Sequence, residues 1–289
     1  MKHAMLQTRT NFWKHSIPTP QQIVGNSRLK PLIESLLSHI ANMLGLNHAA
    51  QIDAIETIFK SATKVVDELA FEQIVKQRLL AKSDRIKMNL AIRKRSSVVY
   101  EEIKNYLQGQ TLLDVGCGNG LVSEMSKQHF RELQLLDVVN YVSPEVKLPF
   151  TPYSEGQKFP IECTYDTVLL LTVLHHSNNP LSLLNETWKA VGKRLIIIES
   201  VFGVHEESAT TKYKLAGFDD RDQIAYATFV DWLYNRVLHN NIPVPYNFTT
   251  PQNWMETFST LGMQLVKSTN LGQDIDIAPE LHFLFVLDK

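Results

Sequence analysis

Asp114 closes a short apolar run in the stretch TLLDVGCGNG, and three glycines follow at alternate positions, Gly116, Gly118 and Gly120. Glycines spaced in this way permit positive φ and let a ligand approach the backbone closely. Cys117 and Asn119 lie between them, inside the same loop. Dinucleotide sites use G-x-G-x-x-G, which seats a pyrophosphate on a helix N-terminus. Here the third glycine of that pattern is replaced by Leu121. The Asp114 carboxylate would repel a pyrophosphate and suits a cationic ligand carrying an ammonium group. A second acid, Asp137, ends the run LQLLDVV and is followed by Val138. An acid at that strand end is placed to accept hydrogen bonds from a ribose diol.

A ligand with a ribose, no phosphate and a cationic amino-acid tail is S-adenosylmethionine. Further along, His175 and His176 form a doublet in LTVLHH. A histidine titrates near working pH and suits general-base chemistry; the alternative is a histidine that caps or packs the loop. Glu199 ends the run LIIIE and points to the same edge as that loop, as a substrate contact or a solvated strand end. Tyr226 and Asp231 lie off the apolar stripe of a later helix and are placed to face a substrate. Cys117 has no activating neighbour in sequence and reads as a small residue rather than a nucleophile. The histidines and acids show no H-x-x-x-H or H-x-H spacing, so no metal site is expected.

The elements that must position these residues fall into two textures. Residues 1–27 are polar, with prolines at 18 and 20, and read as an irregular arm. From Ser27 to about Leu107, apolar residues recur at helical spacing, which predicts three or four helices and no strand. After Gly109 the chain alternates. Short apolar runs at 112–115, 133–139, 165–171 and 195–198 read as strands, with helices at 121–130 and 181–191 between them. Unalternating strands separated by helices imply a parallel sheet covered on both faces. Residues 204–250 interrupt the rhythm with a helix near 222–240, whose Phe229, Trp232, Leu233, Val237 and Leu238 form a core stripe. Thr250–Pro251 opens a helix that Gly262 ends. Strands follow at 263–269 and 281–287.

LLDVGCGNG, the acid of LLD at 135–137 and YDTVLLLTVLHHSNNPLSLLNETWKAVGKRLIIIES resemble the class I S-adenosylmethionine-dependent methyltransferases, closest to a small-molecule group with a VLHH signature. The resemblance spans 105–200 well and 250–289 loosely. It implies a Rossmann-like α/β fold with a seven-stranded, mostly parallel sheet whose last strand is antiparallel. Here that sheet would carry an α-helical N-terminal extension and a helical insert before the sixth strand. Asp114 and the glycines would flank the methionine moiety, with Cys117 and Asn119 in the loop. Asp137 and Val138 would hold the ribose side. Leu171, Thr172 and the residues through His176 would line the methyl-transfer pocket. The family helix between the second and third strands is expected to be shortened or missing, because the span from Asp137 to Asp166 is punctuated by prolines. Glu155 is the nearest stand-in for an acid near the adenine.

The domain reading is a helical cap over 1–107 and a cofactor-binding domain over 108–289, with 204–250 as a lid. Net charge is −1, and 20% of residues are charged, so no global field favours nucleic acid or an anionic membrane. RIKMNLAIRKRSS at 85–97 is locally basic and reads as a solvated helix face, with an anionic substrate or partner as the alternative. The two cysteines, Cys117 and Cys163, form no disulfide framework, which suits a reducing cytoplasm. The expected activity is methylation of a small molecule of specialised biosynthesis, on oxygen or nitrogen in preference to carbon. The rival readings are a non-catalytic cofactor- or partner-binding protein on the same fold and a nicotinamide-dependent oxidoreductase. The N-terminal helices suit either substrate binding or homodimerisation.

Overall fold

Leucine and isoleucine runs without alternation belong in strands buried on both faces, and they build the centre of the sheet. The computed structural model describes residues 17–65, 67–81, 85–205, 214–239, 242, 244–273 and 279–289. Seven strands form one sheet: β1 (Thr111–Val115), β2 (Glu132–Asp137), β3 (Phe150–Pro152), β4 (Tyr165–Leu171), β5 (Val191–Val201), β6 (Gln264–Gln273) and β7 (Leu281–Asp288). Their order is β3-β2-β1-β4-β5-β7-β6, and only β7 runs antiparallel to its neighbours. This is the expected Rossmann-like architecture. The order reverses between β1 and β4, which places a crevice beyond their carboxyl ends.

The N-terminal region holds α1 (Pro20–Val24), α2 (Lys30–Met43), α3 (His48–Ala62), α4 (Glu68–Leu80) and α5 (Arg85–Ile103). The sheet region adds α6 (Leu121–Ser126), α7 (Pro180–Ala190), α8 (Asp220–Trp232) and α9 (Pro251–Thr260). A π turn over Leu233–Leu238 continues α8.

Two expectations need correction and one holds. The arm proposed for 1–27 contains α1: Thr19 and Gln22 form a reciprocal capping box and Pro20 takes the first turn. Ile23 and Val24 of α1 are buried. Residues 1–16 of that arm lie outside the described residues. The six strands read from the sequence omit β3, a three-residue parallel edge strand beside β2. Between β2 and β3 there is no helix at all, only turns, as the prolines there suggested.

The boundary at 107 does not divide two cores. One apolar cluster runs from Ile23, Ile33 and Leu37 through Phe71 and Trp232 to Leu170, Ile197 and Phe285. Phe71 of α4 stacks on Trp232 of α8 at 5.8 Å between ring centres. Polar clamps reinforce the same seam. Arg28 Nη1 lies 2.9 Å from Asp219 and 2.7 Å from Asp222, and Arg236 Nε lies 3.1 Å from buried Glu72. The N-terminal helices therefore pack on the insert. Among the described residues, no helix is long and apolar enough to cross a membrane.

Candidate active site

Parallel register delivers the site residues to one edge. Asp114 pairs with Leu135 and Val115 with Leu136, so the chain leaves β1 beside Asp137 at the end of β2. There Gly116 N donates to Leu136 O at 2.8 Å. Gly116, Gly118 and Gly120 have φ of +71°, +52° and +70°. A Cβ on Gly116 would sit 2.5 Å from Val173, whereas one on Gly118 would meet nothing within 4 Å. The glycine loop thus packs against the β4 loop on one side and opens to a ligand on the other.

Asp114 is buried, and Ser123 Oγ donates to its Oδ2 at 2.6 Å. Burial pushes its carboxyl up to about 7, against that hydrogen bond and with help from the nearby Asp137 charge. Asp137 accepts from Gly118 N at 2.9 Å and from Val138 N at 2.7 Å. Burial raises it as well, and these backbone donors oppose the rise. Cys117 is free, and burial with the two aspartates drives its thiol far above the ordinary range, so it stays a thiol.

These groups line a cleft of about 380 Å³. Asp114, Gly116, Cys117, Gly118, Asn119, Asp137, Val138, Leu171, Thr172 and His176 all contribute to its wall. Gly120 does not: it turns the chain into α6, with its missing Cβ facing Leu135 and Val146. Residues that sequence reasoning missed complete the wall. Arg95, Ser96 and Val99 come from α5, Tyr141 and Tyr153 from the loops around β3, and Asn235 and Ile242 from the insert. In the basic segment, Arg93 pairs outward with Glu145 while Arg95 turns inward. Glu155 lines the cleft too, but its carboxylate accepts from Ser177 Oγ, from Asn178 Nδ2 at 2.8 Å and from Asn179 N at 3.3 Å. Those bonds outweigh burial and hold it below the usual carboxylate range. It secures the loop after β4.

A second, inner chamber of about 150 Å³ adjoins the cleft and shares Arg95, Ser96, Asn119, Thr172, His176 and Asn235 with it. His175, Asp231, His239 and Glu280 line only the inner chamber. Thr172, at the tip of β4, has φ +59°, a conformation non-glycine residues rarely adopt. The β4–β5 register pairs Leu171 with Ile198, which brings Glu199 against the residues after Thr172. Glu199 Oε1 accepts from Val173 N at 2.8 Å and Leu174 N at 2.7 Å, and its Oε2 lies 2.7 Å from His175 Nδ1. Phe248 stacks on the His175 ring at 5.1 Å. Burial alone would lower His175, but the Glu199 carboxylate, its hydrogen bond and the charges of Asp231 and Glu280 lift it to about 9. Burial raises Asp231 above the carboxylate range, against the pull of His175.

Two of the expected substrate contacts are therefore placed differently. Glu199 is fully buried with both oxygens committed to the β4 loop and His175, so it is a positioning residue. Tyr226 is buried in the main core and lines neither cavity. Asp231 does line the inner chamber, and it brings a contact that spacing did not reveal. Its Oδ1 lies 3.5 Å from His176 Nε2 and 4.0 Å from His175 Nε2.

No family model matches the chain, and a search of curated proteins returns no match. Solved structures with a similar chain trace include S-adenosylmethionine-dependent methyltransferases. One from Aquifex aeolicus is 17% identical, with 65% of this chain and 88% of that chain covered and a TM-score of 0.43. One from Mesorhizobium loti is 12% identical, covering 65% and 96%, at 0.46. Magnesium protoporphyrin IX methyltransferase from Synechocystis PCC 6803, with bound S-adenosylhomocysteine, is 12% identical, covering 72% and 89%, at 0.45. Likenesses this distant give no residue-level assignment, so function rests on the geometry of the cleft.

Proposed function

We propose that this chain is an S-adenosylmethionine-dependent methyltransferase acting on a small-molecule acceptor, on oxygen or nitrogen in preference to carbon. The observation that carries the reading is the convergence of Asp114, Asp137 and the left-handed glycine loop on one cleft. Asp114 is held near its titration point and takes the ammonium end of the ligand, whose charge favours the ionised carboxylate. Gly118 leaves backbone open to the methionine chain. Asp137 accepts from the ribose hydroxyls. Val138 and Val139, both about half exposed and both on the cleft wall, give the adenine an apolar shelf.

When bound, the cofactor supplies an electrophilic methyl group on a sulfonium that is already a good leaving group. The main task of the protein is then alignment. His176 lines both cavities and is placed to contact an acceptor in the inner chamber. Glu199 holds His175 behind it. A chamber walled by α5, the β4 loop and the insert suits a small, partly apolar acceptor, such as one from specialised biosynthesis. Two free cysteines suit a reducing cytoplasm.

Calorimetric titration with S-adenosylhomocysteine, with NADH as the control, tests the reading. Tight binding of the first with silence from the second is the expected result. A response to NADH alone would replace the reading with a nicotinamide enzyme. Binding without methyl transfer across a panel of phenols, carboxylic acids and amines would favour a non-catalytic cofactor-binding protein.

A further inference from the structure

Asp231 Oδ2 is buried yet has no hydrogen-bond partner. Leaving a buried carboxylate oxygen unsatisfied is costly, and Asp231 lines the inner chamber. Its other oxygen accepts from Asn235 Nδ2 at 2.6 Å, which fixes the carboxylate plane. The two histidines of the β4 loop approach that same oxygen, His176 Nε2 at 3.5 Å and His175 Nε2 at 4.0 Å. One donor atom from each of His175, His176 and Asp231 lies within 4.8 Å of the others. The π turn over Leu233–Leu238 begins two residues after Asp231, and such irregularities often mark functional positions in helices.

We propose that His175, His176 and Asp231 bind a divalent transition-metal ion, Zn²⁺ or a first-row neighbour, in the inner chamber. Ligands about 2.0–2.1 Å from a tetrahedral ion lie roughly 3.3 Å apart. The observed 3.5 Å and 4.0 Å separations to Asp231 need only a small contraction. Glu199 against His175 Nδ1 leaves Nε2 facing Asp231, the carboxylate–histidine arrangement that orients metal ligands. Two imidazoles with one carboxylate select transition ions over Mg²⁺ or Ca²⁺, which prefer oxygen ligands. Three protein ligands leave a coordination position open to the chamber, as catalytic sites require.

The site rests on its own geometry; its role rests on the methyl transfer proposed above. An acceptor hydroxyl bound at the open position becomes more acidic. Its proton leaves to water, the oxygen forms a bond to the methyl carbon, and the carbon–sulfur bond breaks. The products are the methyl ether and S-adenosylhomocysteine.

The test uses the full chain, stripped with a chelator, then titrated with Co²⁺ by visible absorption and with Zn²⁺ by calorimetry. S-adenosylhomocysteine is titrated into the same samples. One ion per chain, the intense bands of low-coordinate Co²⁺ and no competition from equimolar Mg²⁺ are expected. Asp231→Asn should weaken Zn²⁺ by more than about tenfold, and Glu199→Gln by about 10–100-fold. His205→Gln, on an exposed histidine paired with Asp220, should change nothing. Unchanged S-adenosylhomocysteine affinity in Asp231→Asn certifies its fold. If that variant fails to fold, His176→Gln replaces it, since this side chain is 22% exposed. The spectrum of hydrated Co²⁺, a folded ligand variant that binds Zn²⁺ like the unaltered chain, or equal binding of Mg²⁺ would each overturn the proposal. Zn²⁺ binding without S-adenosylhomocysteine binding would remove the methyltransferase reading and leave the metal site. The reverse would remove the metal site alone.

Discussion

Asp114 is buried at the end of β1, where Ser123 Oγ is the one donor to its side chain among the described residues, and its carboxyl sits near 7 against an unfolded value of 3.8. The sign follows from the proton count. Between those two values the folded, ligand-free chain keeps a proton that the unfolded chain has lost, so stability falls as pH rises from about 4 through about 7. An ammonium ligand needs the ionised form, so S-adenosylhomocysteine affinity should rise over the upper part of that window, with proton release. Calorimetry in two buffers of different ionisation heat counts the protons. Asp114→Asn should flatten both dependences and weaken binding by about 1–3 kcal/mol. A second expectation separates two glycines. Gly116→Ala combines a left-handed φ with a Cβ 2.5 Å from Val173, whereas Gly118→Ala has the φ alone. Thermal melting should show a loss of about 2–5 kcal/mol for the first and about 1–2 for the second. The motif around Asp114 and Asp137 was legible because a glycine run after an acid has few other uses. The Glu199–His175 pair was legible in principle, since both sit just past the ends of adjacent strands. Asp231 was not: its approach to the histidines depends on how α8 docks, which no spacing along the chain encodes.

Among the elements, α1 and β3 escaped the sequence reading for different reasons. The capping box Thr19–Gln22 and Pro20 stand in plain view, but the prolines at 18 and 20 suggested an irregular arm. β3 is three residues long, ends in Pro152 and lies on the sheet edge, where proline is tolerated and no periodicity can develop. The insert stripe from Phe229 to Leu238 was legible from its 3.6-residue recurrence, and those side chains are buried. Replacing Ile23 and Val24 together by alanine should remove two buried aliphatic side chains, each worth about 1.5–3 kcal/mol. The melting temperature should then fall by on the order of 10 °C. S-adenosylhomocysteine binding should persist in the cold, because α1 lines neither cavity. Arg236→Ala should destabilise by about 1–3 kcal/mol in denaturant titration, since it leaves buried Glu72 with Lys76 as its remaining ion-pair partner among the described contacts.

At the scale of the whole molecule, helices that precede the sheet in sequence share its core through the insert. The chain should therefore unfold in a single calorimetric transition whose van't Hoff and calorimetric enthalpies agree. Two resolved transitions would show that 1–107 folds by itself. The two adjoining cavities carry a practical consequence. Six residues, Arg95, Ser96, Asn119, Thr172, His176 and Asn235, belong to both walls, so the two volumes lie side by side. A single inhibitor could span both: a nucleoside head in the cleft, joined past Thr172 by a short linker to an acceptor mimic. Such tethering makes the second contact intramolecular, so affinity multiplies without any new interaction.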